Sequence, residues 1–201
     1  RFLYVLLRPQ WKSWLVKGAY IITIFGGLVT IKLIDNIYGF NWNWLWVLGS
    51  IFSVLGAIYT AFLFAQARAR DLWQSKWVSA THMLVHAIIS GSFVLMIISP
   101  LSKNYMANFL LLSITINIII IMKEILFPHN TPDSKKAIHL MTKGYYSKYF
   151  WLGITLGSFI PIIMLSTQIG ELVIIAGVLS LIGNYLTEYV RIRIPQMIPL
   201  S

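Results

Sequence analysis

Cysteine is absent from all 201 residues. That excludes disulfides, thiolate metal sites and iron–sulfur clusters held by this chain, and it leaves the redox compartment open. Charge is scarce: 11% of the residues are Asp, Glu, Lys or Arg, where a water-soluble domain carries about 25%. Acid is scarcer still, with six Asp and Glu against 16 Lys and Arg and a formal net charge of +10. What fills the chain instead is apolar: 58% hydrophobic residues and a mean hydropathy of +0.75. Water is not the main solvent of such a chain.

Crossing a bilayer takes about 20 mostly apolar residues per helix. Six stretches qualify, approximately Ser13–Ile34, Asn43–Ala65, Trp77–Ser99, Tyr105–Phe127, Tyr149–Thr167 and Gly170–Val190. Each exceeds a signal-peptide core, and none precedes a small-residue cleavage site. A membrane β-barrel would alternate apolar and polar residues over segments of about ten, and the run Ile116–Met122, "INIIIIM", does not alternate. The expected fold is therefore all-α, a polytopic transmembrane helix bundle with six spans.

Placing the loops alternately on two sides puts 14 of the 16 basic residues on one of them, with only Lys32 and Lys103 on the other. The positive-inside rule makes the basic side cytoplasmic, so both ends of this sequence are expected there, in a multi-pass protein of the cell inner (cytoplasmic) membrane. The basic stretch "AQARARDLWQSKW" (Ala65–Trp77) then reads as a topology anchor. Arg68, Arg70 and Lys76 orient it, and Trp73 and Trp77 seat it at headgroup level. It is too short and too close to membrane lipid to form a nucleic-acid groove, so nucleic acid is not an expected partner. The longest connection, Pro128–Lys148, lies on the same side. Pro128 and Pro132 are expected to end the fourth span, and "SKKAIHLMTKGYY" (Ser134–Tyr146) reads as an amphipathic interfacial helix stopped at Gly144. Gly153 and Gly157, and the stripe Gly49, Ser53 and Ala57, are expected at helix contacts, with a kink at Pro161.

Ionisable residues at membrane depth are costly and point to function. His82 and His86 stand four residues apart and share a helix face, with His86 about 14 Å in from the basic edge at 1.5 Å per residue. One helix face cannot supply both axial ligands of a haem, and His129 and His139 fall in the long loop, so neither haem nor a metal is expected on this pair. A proton relay and structural hydrogen bonding to a neighbouring helix both remain open. Tyr59, Asn117, Glu124, Asn184 and Glu188 fall at similar depths and would complete a polar file with the two histidines. On the opposite side, Lys32 and Asp35 are three apart and can pair. Trp42, Trp44 and Trp46 follow them, an aromatic end suited to a quinone headgroup, to a docking partner or to anchoring at the interface.

Four segments together resemble the NrfD/PsrC family of polysulfide reductase NrfD-like membrane subunits. "RFLYVLLRPQWKSWLVKGAYI" (Arg1–Ile21) is similar to that family's connection from its second core helix to its third. "YTAFLFAQARARDLWQS" (Tyr59–Ser75) is similar to its fourth helix and the loop after it. "GYYSKYFWLGITLGSFIPIIM" (Gly144–Met164) resembles the start of its seventh, and "TEYVRIRIPQMIPLS" (Thr187–Ser201) the tail after its eighth. The resemblance implies an eight-helix core of two four-helix bundles whose first two helices this sequence lacks. Residues 1–76 would supply two helices of the first bundle, and residues 77–201 the second bundle with its cytoplasmic tail. It further implies a subunit that is not catalytic alone and exchanges electrons between membrane quinone (menaquinone or ubiquinone) and an extracytoplasmic iron–sulfur subunit, alongside a molybdopterin subunit or a multihaem cytochrome, with proton translocation in some members. No haem is implied on the subunit itself. Lys32, Asp35 and Trp42 are the quinone-site candidates by depth, and His82, His86, Tyr59, Asn117, Glu124, Asn184 and Glu188 the proton-pathway candidates. Two other classes fit the composition: a secondary transporter, with Gly157 and Pro161 marking a discontinuous helix, and a structural membrane anchor for a peripheral protein.

Overall fold

A computed structural model describes residues 5, 7–66, 75–99, 103–126 and 131–198. Arg68, Arg70 and Trp73 of the expected anchor, His129, and the proline expected to end the fourth span, Pro128, lie outside the described residues. The described elements are α1 (Trp14–Tyr38), α2 (Trp44–Ala65), α3 (Lys76–Ile98), α4 (Lys103–Leu126), α5 (Pro132–Thr142), α6 (Ser147–Ile154), a π-helical turn (Thr155–Phe159), α7 (Ile160–Ser166) and α8 (Gly170–Met197). With α6, the π turn and α7 taken as one helix, six of them are long and apolar enough to cross a membrane. The all-helical, six-span expectation holds. No strand occurs among the described residues.

In hydrocarbon every backbone and hydroxyl group needs an internal partner. The hydroxyls of these helices find theirs one turn back. Thr23 donates to the Ala19 carbonyl, Thr30 to Gly26, Ser113 to Phe109, Ser180 to Ala176 and Thr187 to Gly183. A polar residue in a span can therefore be silent, and depth alone does not make it functional.

Helices α3, α4, α7 and α8 share one core, filled by Val85, Ile89, Phe93, Leu110, Ile114, Leu165, Val173 and Ala176. A second cluster closes one end of it, where Ile121 of α4, Ala137 and Met141 of α5, Phe150 and Ile154 of α6, and Val190 and Ile194 of α8 meet. The α1–α2 pair joins through Trp14, Ile58, Ala61 and Phe62 against Ala80 and Met83 of α3. In the most apolar stretch of α1 or α2 only 11% of residues are buried, against 28–39% in the other four spans. This pair consequently turns most of its apolar side chains outward.

Small residues set the closest approach. A Cβ on Gly157 would stand 2.6 Å from the Cα of Gly183, and one on Gly153 would stand 2.9 Å from Thr187 Cγ2. Only hydrogen at these positions lets α8 lie against the π-turn helix. The other expected stripe does not pack: the space beyond Gly49 is open and Ser53 is exposed. The helix continues through a π-helical turn where a kink is expected, at Pro161. In the turn before it, the Ile160 N–H reaches the Thr155 carbonyl five residues back, and this widening accommodates the missing donor of the proline. Pro132 does not terminate α4. It sits in the first turn of α5, where a missing N–H costs nothing, behind the Thr131 cap whose Oγ1 accepts from the Ser134 N–H at 3.2 Å. The last span runs on past its expected end at Val190 to Met197. This extension matters below.

The N-termini of α1 and α3 and the C-termini of α2, α4 and α8 belong to one end of the molecule. Gln66 at the close of α2 donates to the Lys12 carbonyl at 3.0 Å and accepts from the Trp14 N–H at 2.9 Å at the start of α1. That end carries the excess of lysine and arginine and is called the basic end below.

Candidate functional site

The site forms where α3, α4 and α8 meet, two to three turns below the basic end. The four-residue spacing of α3 delivers both imidazoles to one face, with ring centroids 4.2 Å apart. From α8, Glu188 enters between them. Its Oε1 lies 3.1 Å from His82 Nδ1 and 3.2 Å from His86 Nδ1. From α4, the Asn117 Oδ1 lies 3.2 Å from His86 Nε2. The second residue from α8 is Arg191. Its guanidinium contacts His82 Nδ1, reaches Ser79 Oγ at 3.4 Å and pairs with Glu124 Oε1 of α4 at 3.2 Å. His82, Asn117 and Arg191 are buried.

Donor chemistry fixes part of the protonation pattern. Arg191 can only donate, so His82 Nδ1 accepts and a neutral His82 carries its proton on Nε2, a buried atom with no hydrogen-bond partner. His86 offers Nε2–H to Asn117 and turns the lone pair of Nδ1 toward Glu188. Glu188 Oε1 is buried and likewise lacks a hydrogen bond despite its two close nitrogens. A lone pair facing a carboxylate oxygen is unfavourable until a proton comes between them. One proton between His86 Nδ1 and Glu188 Oε1 would make this contact a hydrogen bond.

The sequence-derived proton candidates divide. His82, His86, Asn117, Glu188 and, through Arg191, Glu124 come together. Asn184 sits one turn from Glu188 with a buried, unpartnered Nδ2. Tyr59 stands apart, its ring pressed against Gly18 of α1. Two members were missed, Ser79 and Arg191. The helix runs on to Met197, whereas an end of the last span at Val190 leaves Arg191 in the C-terminal tail. Its position three residues after Glu188, on the same helix face, would have revealed it had the span been extended.

One ring nitrogen each of His82 and His86 and a Glu188 oxygen lie within 4.8 Å of one another, close enough to hold a metal ion. The guanidinium already contacting His82 Nδ1 sets a fixed positive charge beside the cluster, which disfavours a metal cation there. A small, partly open cleft lies beside the cluster. Phe64, Met83 and Ile192 wall it, and Ser79, His82, Glu188 and Arg191 form its polar side.

At the opposite end, Lys32 and Asp35 pair at 2.5 Å. Asp35 is buried and does more than pair. Its Oδ1 accepts from the Trp42 N–H at 2.9 Å, and its backbone carbonyl accepts from Gly39 at 2.8 Å and Phe40 at 3.3 Å. Gly39 closes α1 at φ +72°, a left-handed conformation that glycine takes without strain. Tyr38, Phe40, Trp42 and Trp44 then stack in series, with centroids 5.9, 5.1 and 6.4 Å apart. Lys32 Nζ stands 5.0 Å over the ring of Trp46. Asp35 is therefore the fastener of this turn, while Lys32 and the tryptophans present its accessible chemistry.

The model of the family described as polysulphide reductase, NrfD, matches residues 1–199. No curated protein and no solved structure matches the chain.

Proposed function

The chain belongs to the polysulphide reductase NrfD family, and on that footing we propose that it passes electrons between the membrane quinone pool and an extracytoplasmic iron–sulfur partner, exchanging protons through the His82–His86–Glu188 cluster. Membership in the family makes it a membrane subunit of a quinone-linked reductase complex. The finer roles are the proposal. By the positive-inside rule the basic end faces the cytoplasm, and the aromatic end faces the partner.

A quinone couples electron transfer to proton transfer when bound, and the aromatic end has residues that fit it. Trp42 and Trp46 offer flat ring faces, and Lys32 offers ammonium donors beside Trp46 for a quinone oxygen. Asp35 would hold Lys32 and the Trp42 backbone in place rather than touch the ring. Menaquinone and ubiquinone fit these features equally.

The observation that carries the proton role is Glu188 Oε1 held within 3.2 Å of both imidazole Nδ1 atoms. A proton can reside on His86 Nδ1 or on Glu188, and Arg191 holds the neighbouring His82 as an acceptor. A single glutamate between two histidines at this depth has no packing purpose that an apolar side chain would not serve at lower cost. The test is His86→Gln in the complete complex, with quinol turnover and proton uptake measured together. General acid–base groups contribute about a hundredfold or more, so a loss of that order in proton-coupled turnover is expected. Wild-type values for both would remove the histidine from the mechanism.

A further inference from the structure

Helix α5 and the turn after it have no part in the proton or quinone chemistry, and their side chains are sorted sharply by face. Ser134, Ala137 and Met141 are buried, with Ala137 and Met141 packed on Ile121, Phe150, Val190 and Ile194. Lys135, Lys136 and His139 are exposed. At 100° per residue these three fall within an arc of about 100°, centred opposite the buried face. Lys143, which closes the helix, continues the stripe, and Lys148 opens α6 one short turn later. Both are exposed. The one acid on the helix, Asp133, is bound to Lys136 at 3.2 Å.

The turn that joins the two halves of this surface is built, not slack. Trp151 Nε1 donates to the Thr142 carbonyl at 3.0 Å, the Gly144 N–H reaches the His139 carbonyl at 3.1 Å, and the Ser147 N–H reaches the Gly144 carbonyl at 3.0 Å. Lys143 and Lys148 are thereby held in a fixed relation. Beside them Tyr145, Tyr149 and Trp151 expose large parts of their rings.

We propose that the outer face of α5, with Lys143, Lys148 and the rings of Tyr149 and Trp151, is a binding surface for the headgroups of anionic phospholipids. Position on the chain favours lipid over a soluble acidic protein. The helix lies between two spans that end at Leu126 and begin at Ser147, so it cannot leave the membrane surface. Tyrosine and tryptophan in the first turns of a span are the side chains that settle at headgroup depth. Clustered lysines supply the complementary charge, each contributing roughly a fivefold preference for an anionic surface at low salt. Nothing in this surface depends on the proton or quinone reading, and it would stand if those failed.

The test uses the complete complex in bilayers of phosphatidylcholine containing spin-labelled phosphatidylglycerol or spin-labelled phosphatidylcholine as probes. The fraction of each probe immobilised by the protein is read by electron paramagnetic resonance. The wild type should immobilise phosphatidylglycerol at least about fivefold more strongly than phosphatidylcholine, and that preference should fall as salt rises. Replacing Lys135, Lys136, Lys143 and Lys148 by Gln should lower the preference several-fold, the other basic residues of this end keeping the remainder, while replacing them by Arg should preserve it. All four side chains are exposed, so thermal unfolding should hardly change, and the Arg variant guards against a folding artefact. No preference in the wild type, or an undiminished one in the Gln variant, would overturn the proposal. So would a subunit of the complex crosslinked to Lys143 with the lipid probes excluded from the site.

Discussion

Arg191 and His82 stand 109 residues apart in sequence and in direct contact inside the bundle, the guanidinium donating to the imidazole Nδ1. The same guanidinium pairs with Glu124. One side chain on the last helix therefore ties α3 to α4 and sets which nitrogen of His82 can carry its proton.

Removing Arg191 should be among the most damaging single changes in the chain. Arg191→Leu strips this cation from the half-buried Glu124, and breaking a buried pair from one side costs up to about 3–5 kcal/mol. A lowered thermal unfolding midpoint in detergent is expected, and Arg191→Lys should recover part of the loss because the charge remains while the fork is lost. An unfolding midpoint equal to wild type for Arg191→Leu would show that the ion pair does not hold the helices.

Glu188→Gln separates chemistry from packing. Glutamine nearly matches the size of glutamate and can still bond an imidazole, but it cannot accept a proton. Proton uptake by the complete complex should fall by about a hundredfold, with yield and helical content unchanged. Wild-type uptake would move the proton route elsewhere.

Gly157→Leu should loosen α8 from the π-turn helix. A Cβ there already meets the Gly183 backbone at 2.6 Å, and overpacking of this kind costs about 1–3 kcal/mol. Gly49→Leu, where the space is open, is the matched control and should be near neutral. Equal unfolding midpoints for the two variants would contradict the contact.

Asp35→Ala should act on the aromatic end without touching the proton cluster. It frees Lys32 and removes the acceptor for the Trp42 N–H, so the stacked rings lose their anchor. A raised KM for quinol with proton-cluster behaviour intact is expected, and Lys32→Gln should raise KM in the same direction. If neither variant alters KM, the quinone reading of that end fails.

The absence of cysteine makes sidedness directly measurable. Single substitutions Lys143→Cys and Asn43→Cys should be labelled by a membrane-impermeant maleimide from opposite faces of the membrane, the first from the cytoplasm. Labelling of Lys143→Cys from the outside would reverse the assigned orientation.

Much of this molecule follows from hydropathy and charge. Six apolar runs of span length specify six helices because hydrocarbon leaves the backbone few alternatives, and the Gly153–Gly157 spacing marks a true close contact. The same reasoning failed for Gly49 and Ser53, since a small-residue stripe says that a neighbour would fit, not that one is there. The i, i+4 spacing showed that His82 and His86 share a face, and local spacing likewise showed the Lys32–Asp35 pair.

What lay beyond the sequence is every relation between helices. That Glu188 enters between the histidines, that Asn117 meets His86 while Tyr59 turns to Gly18, and that Arg191 belongs to the cluster all depend on helix rotation and depth. A hydropathy profile averages over all faces of a helix, so it registers neither. It also ends the last span where the basic residues begin, and so leaves Arg191 in the C-terminal tail. Sequence alone determined the medium, the number of spans and the asymmetry of charge between two ends. Tertiary packing decided which buried polar groups confront one another, because a charge enters the interior of a bundle only where a partner on another helix is already waiting.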